Sequence, residues 1–225
     1  MFSLYANWKS NKNIVGARAW FSTFRETLTS ESQKLLKIGQ MEVVIFPPAP
    51  LIYPLHTLRI DVPGVSVGIQ DISPFGEGPY TGLVSATSVE GIVTHAIVGH
   101  AEERERGDTD SIVGSKYERA VASKLSPIHC ISHPSQVLPE ARIVAYEPLD
   151  AIGSGNNAPP DAVVSFAQGL AHKPTQFIYG GSVSAGNCAQ YLRPRICDGF
   201  LVGKISLDPL DFASLVNTCA SYVSD

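Results

Sequence analysis

Eight short runs of apolar, β-prone residues recur along this 225-residue chain, most of them separated by a longer amphipathic stretch. They occupy residues 3–8, 42–46, 65–70, 95–99, 127–131, 142–146, 176–179 and 199–202. Each run is continuously apolar rather than alternating, the pattern of parallel strands covered on both faces. Parallel strands need a crossover between them, and eight β/α alternations in this length predict a closed (β/α)8 barrel, a fold of typically about 250 residues. One unit is too short. Only ten residues, including Pro134 and Pro139, separate residues 131 and 142, and crossovers usually need about a dozen or more. That crossover helix is therefore expected to be reduced or missing.

The intervening segments support the same reading. Residues 14–36 place Trp20, Phe21 and Phe24 at helical spacing, residues 112–125 repeat Val113, Tyr117, Ala120 and Val121, and residues 209–223 carry Phe212, Leu215, Val216 and Cys219 on one stripe. Residues 161–171 follow Pro159-Pro160, a helix-start signal. No linker or low-complexity tract divides residues 1–225, so one α/β barrel domain is expected. A net charge of −4 argues against a nucleic-acid or anionic-membrane partner. No apolar run is long enough to span a bilayer, and the start Met-Phe-Ser-Leu-Tyr-Ala-Asn-Trp-Lys lacks the signal-peptide pattern, so a cytoplasmic protein is expected. The four cysteines show neither C-x-x-C pairing nor a zinc spacing, and read as buried thiols with no metal.

Chemistry in such a barrel is carried at the C-terminal strand ends, which share one mouth. Here the first run ends at Asn7 and Lys9, the fourth at His100 and the sixth at Glu147, while the seventh and eighth lead into Gly180-Gly181-Ser182 and Gly203-Lys204. Each has an ordinary explanation alone: an N-terminal lysine is usually solvated, a lone histidine is usually a core or surface group, and a Glu before Pro can be a turn residue. Together they supply a carboxylate base, an imidazole, a cation and backbone donors. That set suits removal of a proton beside the carbonyl of a small phosphorylated substrate. The other histidines have no partner pattern and read as structural.

The segments that carry these groups resemble the triosephosphate isomerase family in the family's own order. They are Asn7-Trp8-Lys9, Ser73-Pro74-Phe75-Gly76 with Tyr80-Thr81-Gly82, Gly99-His100-Ala101-Glu102, Tyr146-Glu147-Pro148 through Gly155, Tyr179-Gly180-Gly181-Ser182 and Leu201-Val202-Gly203. The resemblance implies a TIM barrel in which Glu147 is the general base, His100 a neutral electrophile and Lys9 the cation beside the developing oxyanion, with Asn7 positioning it; this family is itself a standard worked case of such tuning. It also implies phosphate binding by backbone N–H groups of Gly153, Ser182, Gly203 and Lys204, under a lid of residues 148–158 that Tyr179 and Ser182 help to hold. Glu102 is implied to stand beside Lys9. No cofactor is implied. The family is glycolytic and forms homodimers in which the loop bearing Thr81 reaches the neighbour's Asn7 and Lys9.

The chain also departs from the family. Asp150 replaces a usual Trp in the lid hinge, Lys204 a usual glycine and Ala101 a usual serine, while Leu83 and Glu103 stand where many members pair a Glu with an Arg. The short connection after residue 131 resembles truncated archaeal members, many of them tetramers, and a missing helix would leave an outer barrel face for a partner to cover. Two rival readings are enediolate chemistry on a four-carbon ketose phosphate and a phosphate-binding homologue with impaired catalysis.

Overall fold

The computed structural model describes residues 1–57, 62–149, 157–192 and 196–224. Eight parallel strands, β1 Phe2–Asn7, β2 Met41–Phe46, β3 Val65–Val67, β4 His95–Val98, β5 Ser126–Ile131, β6 Ile143–Tyr146, β7 Gln176–Tyr179 and β8 Gly199–Val202, form one sheet in the order β3-β2-β1-β8-β7-β6-β5-β4. The remaining edge closes through Ile69, which bridges Ala96 in parallel and exchanges hydrogen bonds with the backbone of His95 and Ile97. The result is a nearly closed (β/α)8 TIM barrel.

Strand alternation divides the apolar residues into two cores. Tyr5, Val44, Phe46, Ile97, Ile128, Cys130, Ala145, Ile178 and Leu201 point inward and plug the barrel. Their neighbours, including Leu4, Ala6, Val43, Val98, Val144, Phe200 and Val202, point outward into a larger core beneath the helices. Because Ala145 faces inward, Glu147 two residues later does so too, one step above the plug. Asn7 stands in the same relation to Tyr5. The register that fills the barrel thus also aims polar side chains into its mouth.

The helices are α1 Ile14–Thr27, α2 Ser30–Lys37, α3 Ala49–Thr57, α4 Ala101–Glu105, α5 Asp110–Ala122, α6 Pro160–Gln168, α7 Ala189–Leu192 and α8 Pro209–Val223. The single helix expected over residues 14–36 is two. Leu28 turns extended, Thr29 caps α2 by accepting from Ser32 N–H, and Asn217 of α8 grips the break through the backbone N–H of Thr29 and C=O of Thr27. Helix α5 begins two residues before its apolar stripe because Thr109 caps it, accepting from Ile112 N–H at 3.3 Å.

Between β5 and β6 a 3₁₀ turn, Pro134–Gln136, replaces the crossover helix. Its capping box is closed by His133 and Gln136, and the Gln136 carbonyl lies 2.9 Å from His129 Nε2. The outer face left by the missing helix is nonetheless covered: His129 and Val144 are fully buried and Ile131 is 1% exposed. Val137, Leu138 and Phe166 pack against the outer core to which Ile131 and Val144 belong, and Phe166 stacks on Tyr146 of β6 at 3.6 Å. Tyr117 of α5 reaches across, its hydroxyl donating to Glu140 C=O at 3.0 Å and accepting from Arg142 N–H at 3.3 Å. The expectation of an uncovered face is therefore corrected, because neighbouring aromatic side chains span the gap.

Candidate active site

Lys9 follows β1 with φ of +51°, the left-handed region that a lysine rarely adopts. Its backbone is held on both sides. Lys9 N–H donates to Asn7 Oδ1 at 3.0 Å, and the Gln70 amide donates to Lys9 C=O at 2.8 Å and to Phe46 C=O at 2.9 Å. Its ammonium meets Glu102 Oε1 at 2.6 Å. Burial opposes the Glu102 charge, but the hydrogen bond and charge of Lys9, with His100 and Arg106 behind them, outweigh it and hold the carboxyl below its usual range. Gln70 carries no motif, and only the fold reveals its link to Lys9.

His100 precedes α4 after Gly99, whose φ of +73° and 2.9 Å clearance to Val113 for any added Cβ leave room for glycine alone. The imidazole Nδ1 accepts from Glu102 N–H at 3.2 Å, so the ring proton of a neutral His100 sits on Nε2. Nε2 lies 3.2 Å from Glu147 Oε1 and is placed to donate to it. The other carboxylate oxygen, Oε2, accepts from Ala101 N–H at 2.9 Å. Arg104, which reads as helix surface in the sequence, instead donates to Gly99 C=O at 3.0 Å and pairs with Asp110 at 2.7 Å, tying down the turn that carries His100.

Glu147 is 3% exposed. Burial pushes its carboxyl above the usual range, opposed by His100, the Ala101 N–H and Lys9, and reinforced by Glu102. Gly180 allows this packing, since a Cβ there would stand 3.0 Å from Tyr146 C=O and 3.1 Å from Glu147 Cγ. Beneath, burial and then the Glu147 charge push the Cys130 thiol far up, so it remains neutral.

These groups open onto one cavity of about 940 Å³ at the C-terminal mouth, lined by Asn7, Lys9, His100 and Glu147 and, across from them, Ser182, Gly203 and Lys204. Asn187 braces the Ser182 turn by donating to its carbonyl at 2.9 Å. Gly153 and Asp150 fall outside the described residues. The downstream end of the same loop is described: Ala158 N–H donates to Tyr179 OH at 2.7 Å, Tyr191 OH donates to Ala158 C=O at 2.6 Å, and Asn157 donates to Tyr191 OH at 2.7 Å. Tyr191 is a second anchor that looks like ordinary helix core in the sequence. Thr81 is exposed and does not line the cavity of its own chain. Glu103 pairs with Arg106, and Leu83 is 52% exposed. Among the described residues no cluster of three or more His, Cys, Asp or Glu could hold a metal ion.

A carboxylate of raised basicity, an N–H-bearing imidazole and a fixed ammonium on one small cavity can move a proton between adjacent carbons while holding the oxygen charge that develops. The family model described as triosephosphate isomerase matches residues 2–219. The chain is similar to the triosephosphate isomerase of Thermus thermophilus, 32% identical over 247 aligned residues covering 93% of this chain and 95% of that one. It is 33% identical to the triosephosphate isomerase of Leifsonia xyli subsp. xyli, covering 93% and 94%, and 33% identical to that of Halorhodospira halophila, covering 81% and 87%.

Proposed function

The chain belongs to the triosephosphate isomerase family, and from that premise we propose that it interconverts dihydroxyacetone phosphate and D-glyceraldehyde 3-phosphate through an enediolate. The observation that carries this reading is the meeting of Lys9, His100 and Glu147 on a single cavity at the barrel mouth. Glu147 removes the proton from the carbon beside the carbonyl and delivers it to the former carbonyl carbon, while the hydroxyl proton passes between the two enediolate oxygens by way of His100, so one carbon is oxidised as its neighbour is reduced. The Nε2–H of His100 donates to the carbonyl oxygen, and a carbonyl that takes this hydrogen bond releases Glu147 Oε1 for the substrate carbon. Lys9, positioned by Asn7 and Gln70 and steadied by Glu102, holds the developing oxyanion. The N–H groups of Ser182, Gly203 and Lys204, with Gly153 from the lid, bind the phosphate. Tyr179 keeps the downstream end of the lid in place. No cofactor or metal takes part.

We place the site in a single-barrel unit over residues 1–225, acting in the cytoplasm as a homodimer. No helix among the described residues is long and apolar enough to cross a membrane. The dimer reading rests on the loop between β3 and β4, where Phe75 and Tyr80 stack at 4.4 Å and lie exposed with Leu83 nearby. Thr81 then enters the neighbour's site beside Asn7 and Lys9. The covered β5–β6 face offers no support for a tetramer through that side. Light scattering is expected to give twice the chain mass, and Thr81→Arg to lower both that mass and activity; a monomeric, fully active wild type would remove the dimer.

The direct test is a coupled assay with glyceraldehyde 3-phosphate and dihydroxyacetone phosphate alongside a four-carbon ketose phosphate. Faster turnover of the trioses is expected. Turnover of the tetrulose phosphate alone would reassign the substrate, and binding of both without turnover would leave a phosphate-binding protein.

A further inference from the structure

Lys204 is the residue of the phosphate side whose side chain has no counterpart in the reading above, which uses only its backbone N–H. It opens the 3₁₀ turn Lys204–Leu207 after β8 and is exposed on the cavity wall. Its φ is not positive, so a lysine stands there without backbone strain. The turn abuts the catalytic side, for a Cβ on Gly203 would touch Lys9 Cε at 3.5 Å.

The neighbouring ammonium groups are engaged. Lys9 is paired with Glu102 at 2.6 Å, and Lys12 donates to Leu207 C=O at 2.7 Å while lying over the Trp8 ring. The Lys204 ammonium makes no hydrogen bond or ion pair with the described residues. Of the two aspartates on the same wall, Asp208 spends Oδ1 on the N–H groups of Leu210 and Asp211, and Asp211 forms no ion pair with Lys204. A phosphate monoester carries nearly two negative charges at neutral pH, whereas Lys9 is already paired with a carboxylate. Backbone N–H groups orient such an ion but add no net charge.

We infer that the Lys204 ammonium is a direct ligand of the substrate phosphate, a second cation that sets this site's preference for phosphorylated over unphosphorylated substrates. The inference rests on the isomerase reading, and its test separates the two. Lys204→Gln keeps the backbone N–H and removes the charge; Lys204→Arg keeps the charge. Two quantities are compared in the wild type and both variants: the ratio of kcat/KM on glyceraldehyde 3-phosphate to that on glyceraldehyde, and the Kd of inorganic phosphate by calorimetry. Lys204→Gln should lower the ratio and weaken phosphate binding by about tenfold, the low end for a charge-assisted hydrogen bond, and should flatten the salt dependence of both. Lys204→Arg should restore most of each. If Lys204→Gln keeps the wild-type ratio and the wild-type phosphate Kd, the ligand role is overturned while the isomerase reading stands. If the wild type binds phosphate in a Lys204-dependent way yet turns over neither triose phosphate, the isomerase reading falls and the anion site remains.

Discussion

Glu147→Gln is expected to lower turnover of glyceraldehyde 3-phosphate by at least about 100-fold, the usual scale for losing a positioned general base. The amide keeps the shape of the carboxyl and can still accept from Ala101 N–H, so the fold should not change. What disappears is the ability to take a proton from carbon. Full activity in this variant, measured in the coupled assay, would dismiss Glu147 as the base.

The same substitution should stabilise the protein at neutral pH. Burial raises the Glu147 carboxyl above its usual range, so the folded chain binds this proton more tightly than the unfolded chain. The stability linked to that proton is complete below the unfolded value and is lost as the pH rises through the raised folded value. Glutamine, like the protonated form, carries no charge at any pH, although its NH2 gives up the hydrogen bond from His100 Nε2–H. The melting temperature of Glu147→Gln should therefore exceed that of the wild type at about pH 8 and converge with it on acidification. The raised value also means that wild-type activity falls on the acid side sooner than an ordinary carboxylate would dictate. A variant no more stable than the wild type at high pH would show that His100 and Ala101 fully offset the burial.

The second large effect is on stability. Lys116 on α5 is 4% exposed and meets both oxygens of Asp71 at 2.8 and 2.7 Å and Asp108 at 2.7 Å. Burial works against the ammonium, but its hydrogen bonds to Asp108 and Asp71 outweigh that and hold it charged. Asp71 is pushed up to about 6, chiefly by burial and only partly relieved by Lys116. Lys116→Met strands two carboxylates with no cation between them and should cost about 3–5 kcal/mol at neutral pH, as breaking buried pairs does. The orphaned Asp71 would then titrate still higher. The loss should be largest above about pH 6 and should shrink at lower pH as Asp71 takes up its proton. Urea unfolding at two pH values measures it, and an equal loss at both would rule out stranded charge as the cause. Asp71 adjoins Gln70, so the same pairing secures the stem of the segment that holds Lys9.

The barrel was legible in the sequence because its signal is local: eight apolar runs of strand length, all but the fifth followed by enough chain for a full crossover. The strand ends were legible for the same reason, since Asn7 and Glu147 continue the inward register of Tyr5 and Ala145. Long-range contacts were not. The break between α1 and α2 depends on Asn217, 188 residues beyond Thr29, and an amphipathic stripe running through both helices conceals it. Tyr191 looks like helix core and Gln70 like the end of the third strand until folding brings them to Ala158 and Lys9. The tautomer of His100 follows from Glu102 N–H, a donor whose direction depends on the turn after Gly99. Arg104 gives no signal in the sequence because a charged residue in a charged run looks solvated, whereas here it serves the backbone of its own turn.

The economy between β5 and β6 has a consequence for how such chains can shrink. A tyrosine from the preceding helix and a phenylalanine from the following one do the work of a deleted segment. Trimming a barrel by a helix is then a matter of supplying aromatic lids from the flanks, and it creates no obligation to acquire a companion subunit. Tyr117→Ala would put that obligation back, by baring a wall that the shortened loop cannot shade alone.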